Sequence, residues 1–597
     1  MNKSNVNNIL QEIEKNHNHS WYEEIYKRNK DSLNDIALFY RGNSISYGSM
    51  FDKMKSLAIA MNASGVNKGT EIPVCMSNTP ELIYVMGAAS MIGAKINVFS
   101  ANFPGDYVFD IIENCNSDIG FFEDNFFIVI REVLSKTHLK KYVLYSLQDS
   151  LPKNTNIKKV IGSNYVNFSS NVSELSNEIS NIVSFHDFLE YGQTSKEKVF
   201  EQTNLDDEFS ITYTSGSTNA KRPKAIVHTT RSFIVVGRFH DADLMYGMHF
   251  KKFRCQAIVP PYSNTDLISC ISDALMQGAC LTLEPVYNKD FFLDSLLFNR
   301  PNYIAATRSF WIAAAKKLMT EDAYKNKKLP FLTLAFSVGE ELTINEERFL
   351  NKTLRKADAG KDMLHIPISL IKMCVAGGDC EHGAIFYRLF RSVSNFSPFS
   401  KSTEKRYGMS VLDYAEVAVL DEKNNRLGNN KFGRLVANSP CTMKCYKNDI
   451  SATNEFFVKD NKGVVWADMS VYGHIDNRGR VYMRGRIKNA DFDEHPFKIT
   501  DDIIKNKCIL SCEVVAIKGN YIVHYEFDPL FSGEEKKQLT KIHKTILKKY
   551  GTKISNGMFY RKHTKEDSFI LTGSGKRDFN ALIEEGISPL CQKIDLN

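Results

Sequence analysis

The chain is predicted to fold as a large amino-terminal α/β domain of layered subdomains, with a β-rich subdomain at its end and a small α+β domain at the carboxy terminus. Three observations lead there. Strand-like and helix-like segments alternate between about residues 36 and 130, and again from Cys255 onward. After residue 400 the pattern turns to strand alternation broken by tight Gly and Asn turns. The last 110 or so residues mix short strands with helices. Repeated strand–helix alternation argues for largely parallel layered sheets, and alternation with tight turns argues for antiparallel ones.

The elements follow in order. Residues 1–35 form an extension expected to be helical. SYGSMFDKMKSLAIAMNASGV has apolar residues three and four apart and ends at a Gly, as a capped helix does. EIPVCMS reads as a strand, PELIYVMGAASMIGA as a second helix and KINVFS as another strand. Residues 146–206, rich in Asn, Ser and Lys, read as a long surface connection with a few short elements. CQAIVPPY, SDALMQGA, CLTLEP and LPFLTLAFSVGEEL resume the α/β rhythm. A β-rich subdomain is expected over about 405–485, and a domain boundary near Arg486 leaves 486–597 as the small domain.

Composition removes several classes of function. An apolar share of 43% and a charged share of 24% are those of an ordinary globular protein. A net charge of +7 over 597 residues, with no dense basic block, does not imply nucleic acid. The richest basic stretch, EEKKQLTKIHKTILKKYGTK, reads as a solvated helix face. The longest apolar run, LIYVMGAASMIGA, is shorter than the roughly 18 residues a membrane span needs. The first residues lack a signal-peptide core, and the 12 scattered cysteines form no zinc set, so reduced thiols and a cytoplasmic location are expected.

The most informative stretch is YTSGSTNAKRPK, Tyr213 to Lys224. It gathers hydroxyl side chains around a Gly and ends in a basic run, directly after the strand-like FSITYT. Such a loop suits phosphate: backbone N–H groups converge, hydroxyls add donors and a Lys adds charge. A solvated turn has the same composition.

Taken with five further segments, this loop resembles the adenylate-forming ligases, which include acyl-CoA synthetases, peptide-synthetase adenylation domains and luciferases. Residues 44–81 resemble that family's amino-terminal block, and SVGEEL its GGExL segment. AGGDCEHG stands in place of its YGxTE motif, WADMSVYGHIDNRGRVYMRGR resembles its ribose and hinge segment, and LTGSGKRDF its TxxGK motif. The resemblance implies a mobile small domain and a two-step reaction. A small carboxylic acid attacks the α-phosphate of ATP to give an acyl-adenylate and pyrophosphate. A thiol of coenzyme A, or of the phosphopantetheine on a separate acyl-carrier protein, then takes the acyl group. It also implies roles. Thr214, Ser215, Gly216, Ser217 and Thr218 wrap the phosphates with Lys224 nearby, and Glu381, with Thr214, holds Mg²⁺. Asp379 and Cys380 contact the nucleotide, Arg486 contacts ribose or phosphate, and Lys488 marks the hinge. Lys576 reaches in from the small domain to the reacting phosphate. His228 follows the loop, and Tyr262, Ser263, Asn264 and Gly377 are candidate lining of the acid pocket.

The chain also departs from that pattern. Met469, Ser470 and Val471 align on the family's ribose-binding TGD triplet, so Val stands where a carboxylate is usual. Asp468 lies three residues earlier and takes over that role only if the strand bulges. Gly377 replaces the adenine-stacking aromatic and Cys380 the Thr of YGxTE. Asn219 replaces a Gly of the loop, and Pro496 stands by the pantetheine tunnel. An acceptor of a different kind, such as an amine, and a non-catalytic binding protein on a ligase fold are the alternatives. Amino-acid-activating members use a pocket Asp; Thr265 aligns there, with Asp266 next to it.

Overall fold

The computed structural model describes residues 3–152, 171–196, 200–214, 222–243, 253–340, 342–364, 373–388, 408–486, 495–517, 520–551, 554, 557–564, 567–572 and 576–594. Within these, the strand–helix rhythm builds two large sheets. One has nine strands, in the order Ser410–Val411, Gly383–Arg388, Cys374–Asp379, Leu334–Val338, Tyr303–Thr307, Arg254–Ala257, Cys280–Leu283, Ile36–Tyr40 and Asn43–Ser46. Its interior pairings are parallel and its edges antiparallel. The other has eight, in the order Cys445–Tyr446, Ala225–Thr229, Glu208–Tyr213, Lys95–Val98, Glu71–Cys75, Ile119–Glu123, Lys141–Tyr145 and Ile182–Ser184.

Local chemistry explains the expected elements. The Tyr47–Ala63 helix starts where the Ser46 hydroxyl accepts the Ser49 N–H, and Gly65 turns the chain away at φ +93°. The Pro80–Ile92 helix has Pro at its first position and ends at Gly93 in the left-handed conformation. Buried on every side, it is apolar apart from Glu81 and Ser90. The SDALMQGA helix begins earlier than its sequence pattern indicates, because Thr265–Ser272 forms a π-helix that continues into Asp273–Met276. Insertions of this kind cluster at functional sites. Between residues 146 and 206, short elements appear at Val172–Glu178, Ile182–Ser184 and Phe185–Thr194.

Past residue 410, Glu416–Leu420, Gly433–Asn438, Val465–Ile475, Phe457–Lys459 and Val481–Arg486 form a five-stranded antiparallel sheet. The carboxy-terminal unit is a three-stranded sheet, Ile509–Ile517, Asn520–Phe527 and Met558–Lys562, with helices His495–Ile503, Glu535–Tyr550 and Phe579–Glu585. It has its own core. Val523 packs with Ile499, Ile542 and Ile546 on one face, while its neighbour Ile522 packs with Phe569 and Leu582 on the other. Glu535–Tyr550 buries Leu539, Ile542 and Ile546 and leaves Lys536, Lys537, Lys541, Lys544 and Lys548 exposed, the solvated face expected of that basic stretch. Among the described residues no helix is long and apolar enough to cross a membrane, and no disulfide or metal-binding group of His, Cys, Asp or Glu occurs.

The amino-terminal extension forms two helices, Lys3–Lys15 and Trp21–Asn29, the second closed by a capping box between Ser20 and Glu23. Trp21 is fully buried. Its indole packs 5.7 Å from the Phe209 ring, and its Nε1–H donates to the Ser272 hydroxyl at 2.7 Å, at the end of the π-helix. The extension therefore braces the segment that follows Tyr262–Asn264. Trp21→Ala is expected to destabilise the large domain by about 3–5 kcal/mol. Trp21→Phe is expected to cost about 1–2 kcal/mol through the orphaned hydroxyl and lost volume. Urea unfolding of both variants checks the order.

Candidate functional site

The Glu208–Tyr213 strand delivers the hydroxyl-rich loop to the end of the eight-stranded sheet, and Ala225–Thr229 carries the chain back beside it. Thr214 and Lys224 tie the loop's neck: Thr214 N–H donates to the Lys224 carbonyl at 3.0 Å, and Lys224 N–H donates to the Thr214 hydroxyl at 3.1 Å. Outside the neck, Arg222 pairs with Asp106 and Asp110, and the Tyr107 hydroxyl donates to the Pro223 carbonyl. Tyr213 N–H donates to the Tyr262 carbonyl at 3.1 Å, which joins the loop stem to the candidate acid pocket. Ser215, Gly216, Ser217, Thr218 and Asn219 lie outside the described residues, as does Lys488.

From the neck, charge leads to Glu381. Lys224 Nζ sits 4.3 Å from the centroid of the Tyr446 ring, and the Tyr446 hydroxyl donates to Glu381 Oε1 at 2.8 Å. Burial and the neighbouring Asp379 carboxylate raise the Glu381 pKa. A carboxylate in this state is short of positive charge, which a divalent cation supplies. The donor set therefore fits Mg²⁺ only with help from water and phosphate oxygens, the usual habit of that ion. Asp379 itself is engaged by His382, whose Nδ1 lies 2.6 Å away.

The turn that carries Glu381 is fixed from beneath. The Cys380 carbonyl accepts from His228 Nε2 at 2.8 Å and from Asn264 Nδ2 at 3.1 Å. Burial pulls the His228 pKa down to about 4, so the ring is neutral at physiological pH, and its Nδ1 faces the Ser232 hydroxyl at 3.2 Å. Both residues thus position the turn. Ser263 is buried beside them, and its carbonyl accepts the Asp266 N–H at 3.0 Å. Gly377 lies in Cys374–Asp379 opposite Phe386, and a Cβ there would come within 3.1 Å of Met409. At Gly378 a Cβ would stand 1.9 Å from the Gly383 carbonyl oxygen, so the hairpin requires glycine at that point.

The strand that carries Asp468 does bulge. Val436 pairs with Asp468 and Leu435 with Val471, which leaves Met469 and Ser470 without ladder partners. Ser470 takes φ +53°, and its N–H donates to Asp468 Oδ1 at 2.7 Å. Asp468 Oδ2 lies 3.2 Å from Arg434 Nη1. Burial raises the Asp468 pKa, Arg434 opposes the shift, and Asp379 adds to it, which places Asp468 within electrostatic reach of the Glu381 turn. Arg486 ends the Val481–Arg486 strand, opposite Val471.

Lys576 comes from the carboxy-terminal unit. Its backbone closes a turn with Thr572, whose N–H donates to the Lys576 carbonyl at 2.7 Å. Its side chain lies across Gly339, where a Cβ would stand 2.8 Å from Lys576 Cε and 3.5 Å from Nζ. Burial pushes the Cys380 thiol up to about 11, against the pull of the Lys576 ammonium. Lys576 therefore lies within electrostatic reach of the turn that carries Glu381.

Two participants were missed from sequence, and a third residue, Asp266, was named there only as the neighbour of Thr265. Tyr446 follows an unremarkable Lys-Cys pair, and no local signal marks it. Gly339 was placed only within a segment. Asp266 is fully buried on the π-helix, and burial raises its pKa far above the ordinary carboxylate range against the opposing pull of an Asn78 hydrogen bond. Its adjacency to Thr265 was the only clue.

The profile of the AMP-binding enzyme family matches residues 26–447. An acetyl-coenzyme A synthetase of Bartonella henselae is 25% identical over 236 residues, 36% of this chain and 33% of that protein. The match thus spans about a third of the length of such curated relatives. Among solved structures, ATP-bound MatB from Rhodopseudomonas palustris aligns over 95% of this chain and 99% of its own, with TM-score 0.70 and 14% identity. The amide bond synthetase McbA from Marinactinospora thermotolerans aligns over 94% and 98%, with TM-score 0.66 and 14% identity. These structures share the layered α/β fold. With more than half its length matched by the family profile, the chain belongs to the AMP-binding enzyme family.

Proposed function

We propose that this protein is an ATP-dependent carboxylate ligase that forms an acyl-adenylate with release of pyrophosphate, then passes the acyl group to a thiol. The observation that carries the proposal is Lys576. A cation from the carboxy-terminal unit lies across Gly339 within electrostatic reach of the turn that holds Glu381, with Lys224 and Thr214 at the loop neck beyond Tyr446. Two ammonium groups and a carboxylate short of positive charge suit a magnesium-bound triphosphate. The acetyl-coenzyme A synthetase relatives support the thiol acceptor, and the amide bond synthetase neighbour keeps an amine acceptor as the second outcome.

In this reading the acid's oxygen bonds to the α-phosphorus as the bond to pyrophosphate breaks. Such transfers depend on positioning and charge neutralisation more than on covalent help from the protein. Thr214 and Lys224 hold the phosphates, and Lys576 neutralises charge as it develops on the α-phosphate. Glu381 and Thr214 would hold Mg²⁺ with help from water and phosphate oxygens, and the ion would supply charge neutralisation to the phosphates. His228 and Asn264 keep the Cys380 carbonyl, and so Glu381, in place. Asp468, brought forward by the bulge, accepts from the ribose hydroxyls in place of the missing triplet carboxylate. The small unit begins near Arg486, and Lys488 serves as the hinge.

Incubation with ATP, Mg²⁺ and a panel of carboxylic acids is expected to release pyrophosphate, and Lys576→Ala to slow that release roughly 100- to 1,000-fold. A panel without turnover, in a protein that does not bind ATP, would identify a binding module instead. Repeating the assay with coenzyme A, and then with an amine, reports the acceptor. Asp468→Ala is expected to weaken ATP binding by roughly 10- to 100-fold, from two lost hydrogen bonds to a charged acceptor. Calorimetric titration with unchanged affinity would remove Asp468 from the ribose site.

A further inference from the structure

Between the large domain and the carboxy-terminal unit lies a buried cluster of five charged side chains. Arg308, Glu340 and Glu346 come from the large domain, and Glu513 and Arg577 from the small unit. Arg308 Nη2 lies 3.0 Å from Glu340, and Arg577 Nη2 lies 3.2 Å from Glu346. Glu513 receives both cations, Arg577 at 2.9 Å and Arg308 at 3.5 Å. Side-chain exposure runs from 0% at Glu346 to 15% at Glu513. Burial alone would raise the Glu346 carboxyl, but Arg308 and Arg577 hold it below its ordinary range.

The division of charge between the two parts is uneven. The large domain contributes one cation and two anions, so its share is short by one positive charge. The small unit brings a self-neutral pair, Arg577 with Glu513, so the docked cluster holds two cations and three anions, with Arg577 shared between Glu513 and Glu346. Once docked, removal of one partner leaves a buried charge uncompensated, so truncation within the cluster is expected to weaken the docked arrangement. Within the small unit the Arg577 guanidinium also lies 3.9 Å from the centroid of the Phe569 ring.

Register is the second observation. The Arg577 backbone N–H donates to Glu340 Oε1 at 2.7 Å. Two consecutive residues of the small unit, Lys576 and Arg577, thus sit on two consecutive residues of the large domain, Gly339 and Glu340. Around this contact, Asn345 Nδ2 donates to the Ile504 and Ile509 carbonyls at 2.8 Å, and the Ser511 hydroxyl donates to Glu346.

We infer that Arg577 and Glu340 are positioning residues that set the register of Lys576, and that the five-residue ionic cluster is the latch holding the small unit on the large domain. The inference rests on the ligase reading for its effect on chemistry, while the latch itself is tested without it. Hydrogen–deuterium exchange of the full-length protein is compared for wild type, Arg577→Ala, Arg577→Lys and Glu340→Gln. Arg577→Ala is expected to speed exchange at least tenfold in residues 504–513 and 571–578, with the Glu71–Cys75 strand unchanged as the measure of an intact fold. Arg577→Lys, which keeps charge but loses the two-pronged contact, is expected to fall between. Glu340→Gln, the mildest change, keeps the test available should Arg577→Ala not fold. Unchanged exchange at these segments in Glu340→Gln and in every folded Arg577 variant would overturn the latch. In the pyrophosphate assay, Arg577→Ala is expected to lower kcat roughly 10- to 100-fold with KM for ATP within about twofold, and Arg577→Lys to recover part of it. Faster exchange without any wild-type turnover supports the latch and counts against the ligase reading alone. Altered exchange with unaltered kcat would remove the positioning role.

Discussion

Lys576 crosses Gly339 because no Cβ stands in its path, and the proposed chemistry depends on that crossing. A residue with a side chain at position 339 would meet Lys576 Cε at 2.8 Å, so the lysine would have to shift. The backbone there takes φ +76°, a conformation glycine adopts at little cost. Everything else around the site reads as a way of presenting partners to that amine. The loop neck brings Lys224, Tyr446 relays it to Glu381, and the turn beneath is pinned by His228 and Asn264.

The site is assembled from distant parts of the chain, each held by packing of its own. The eight-stranded sheet supplies the loop, the nine-stranded sheet supplies the turn, the antiparallel sheet supplies Asp468, and the carboxy-terminal unit supplies Lys576. Such an arrangement puts charge in place before the substrate arrives, so little reorganisation accompanies reaction. It also makes the contact between the two parts of the chain decisive, since Lys576 is the only one of these groups that belongs to the smaller unit. A buried ionic cluster is an expensive way to build an interface, because desolvation consumes much of the attraction. What it provides is register, and register is what a single reaching lysine needs.

The large elements were legible because local chemistry specifies them. Ser46 caps a helix, Pro80 starts one, Gly93 ends it, and the buried Pro80–Ile92 helix is apolar apart from Glu81 and Ser90. The order of the phosphate loop, SVGEEL, the Glu381 turn and Lys576 was legible as a family pattern. The departure at the ribose segment was legible only as a condition, and the unpaired Met469 and Ser470 meet it. The remainder depended on packing between residues far apart. Tyr446 stands 65 residues from Glu381, and Arg577 stands 237 from Glu340. Tyr446 belongs to no periodic pattern or motif, and Arg577, although it lies within LTGSGKRDF, carries no local sign of its partner. Asp266 differs again: its type was visible, and its complete burial on a π-helix was not.

The central claim, that Gly339 is the seat of Lys576 during adenylate formation, is tested most directly by Gly339→Ala measured in the two half-reactions separately. Adenylation is read as pyrophosphate release, and acyl transfer is read from a synthetic acyl-adenylate of the same acid to the acceptor. The account predicts that adenylation falls by roughly 100-fold, as for loss of a charge-stabilising donor, while transfer from the preformed adenylate is preserved. Equal loss in both half-reactions, or loss in neither, would contradict it.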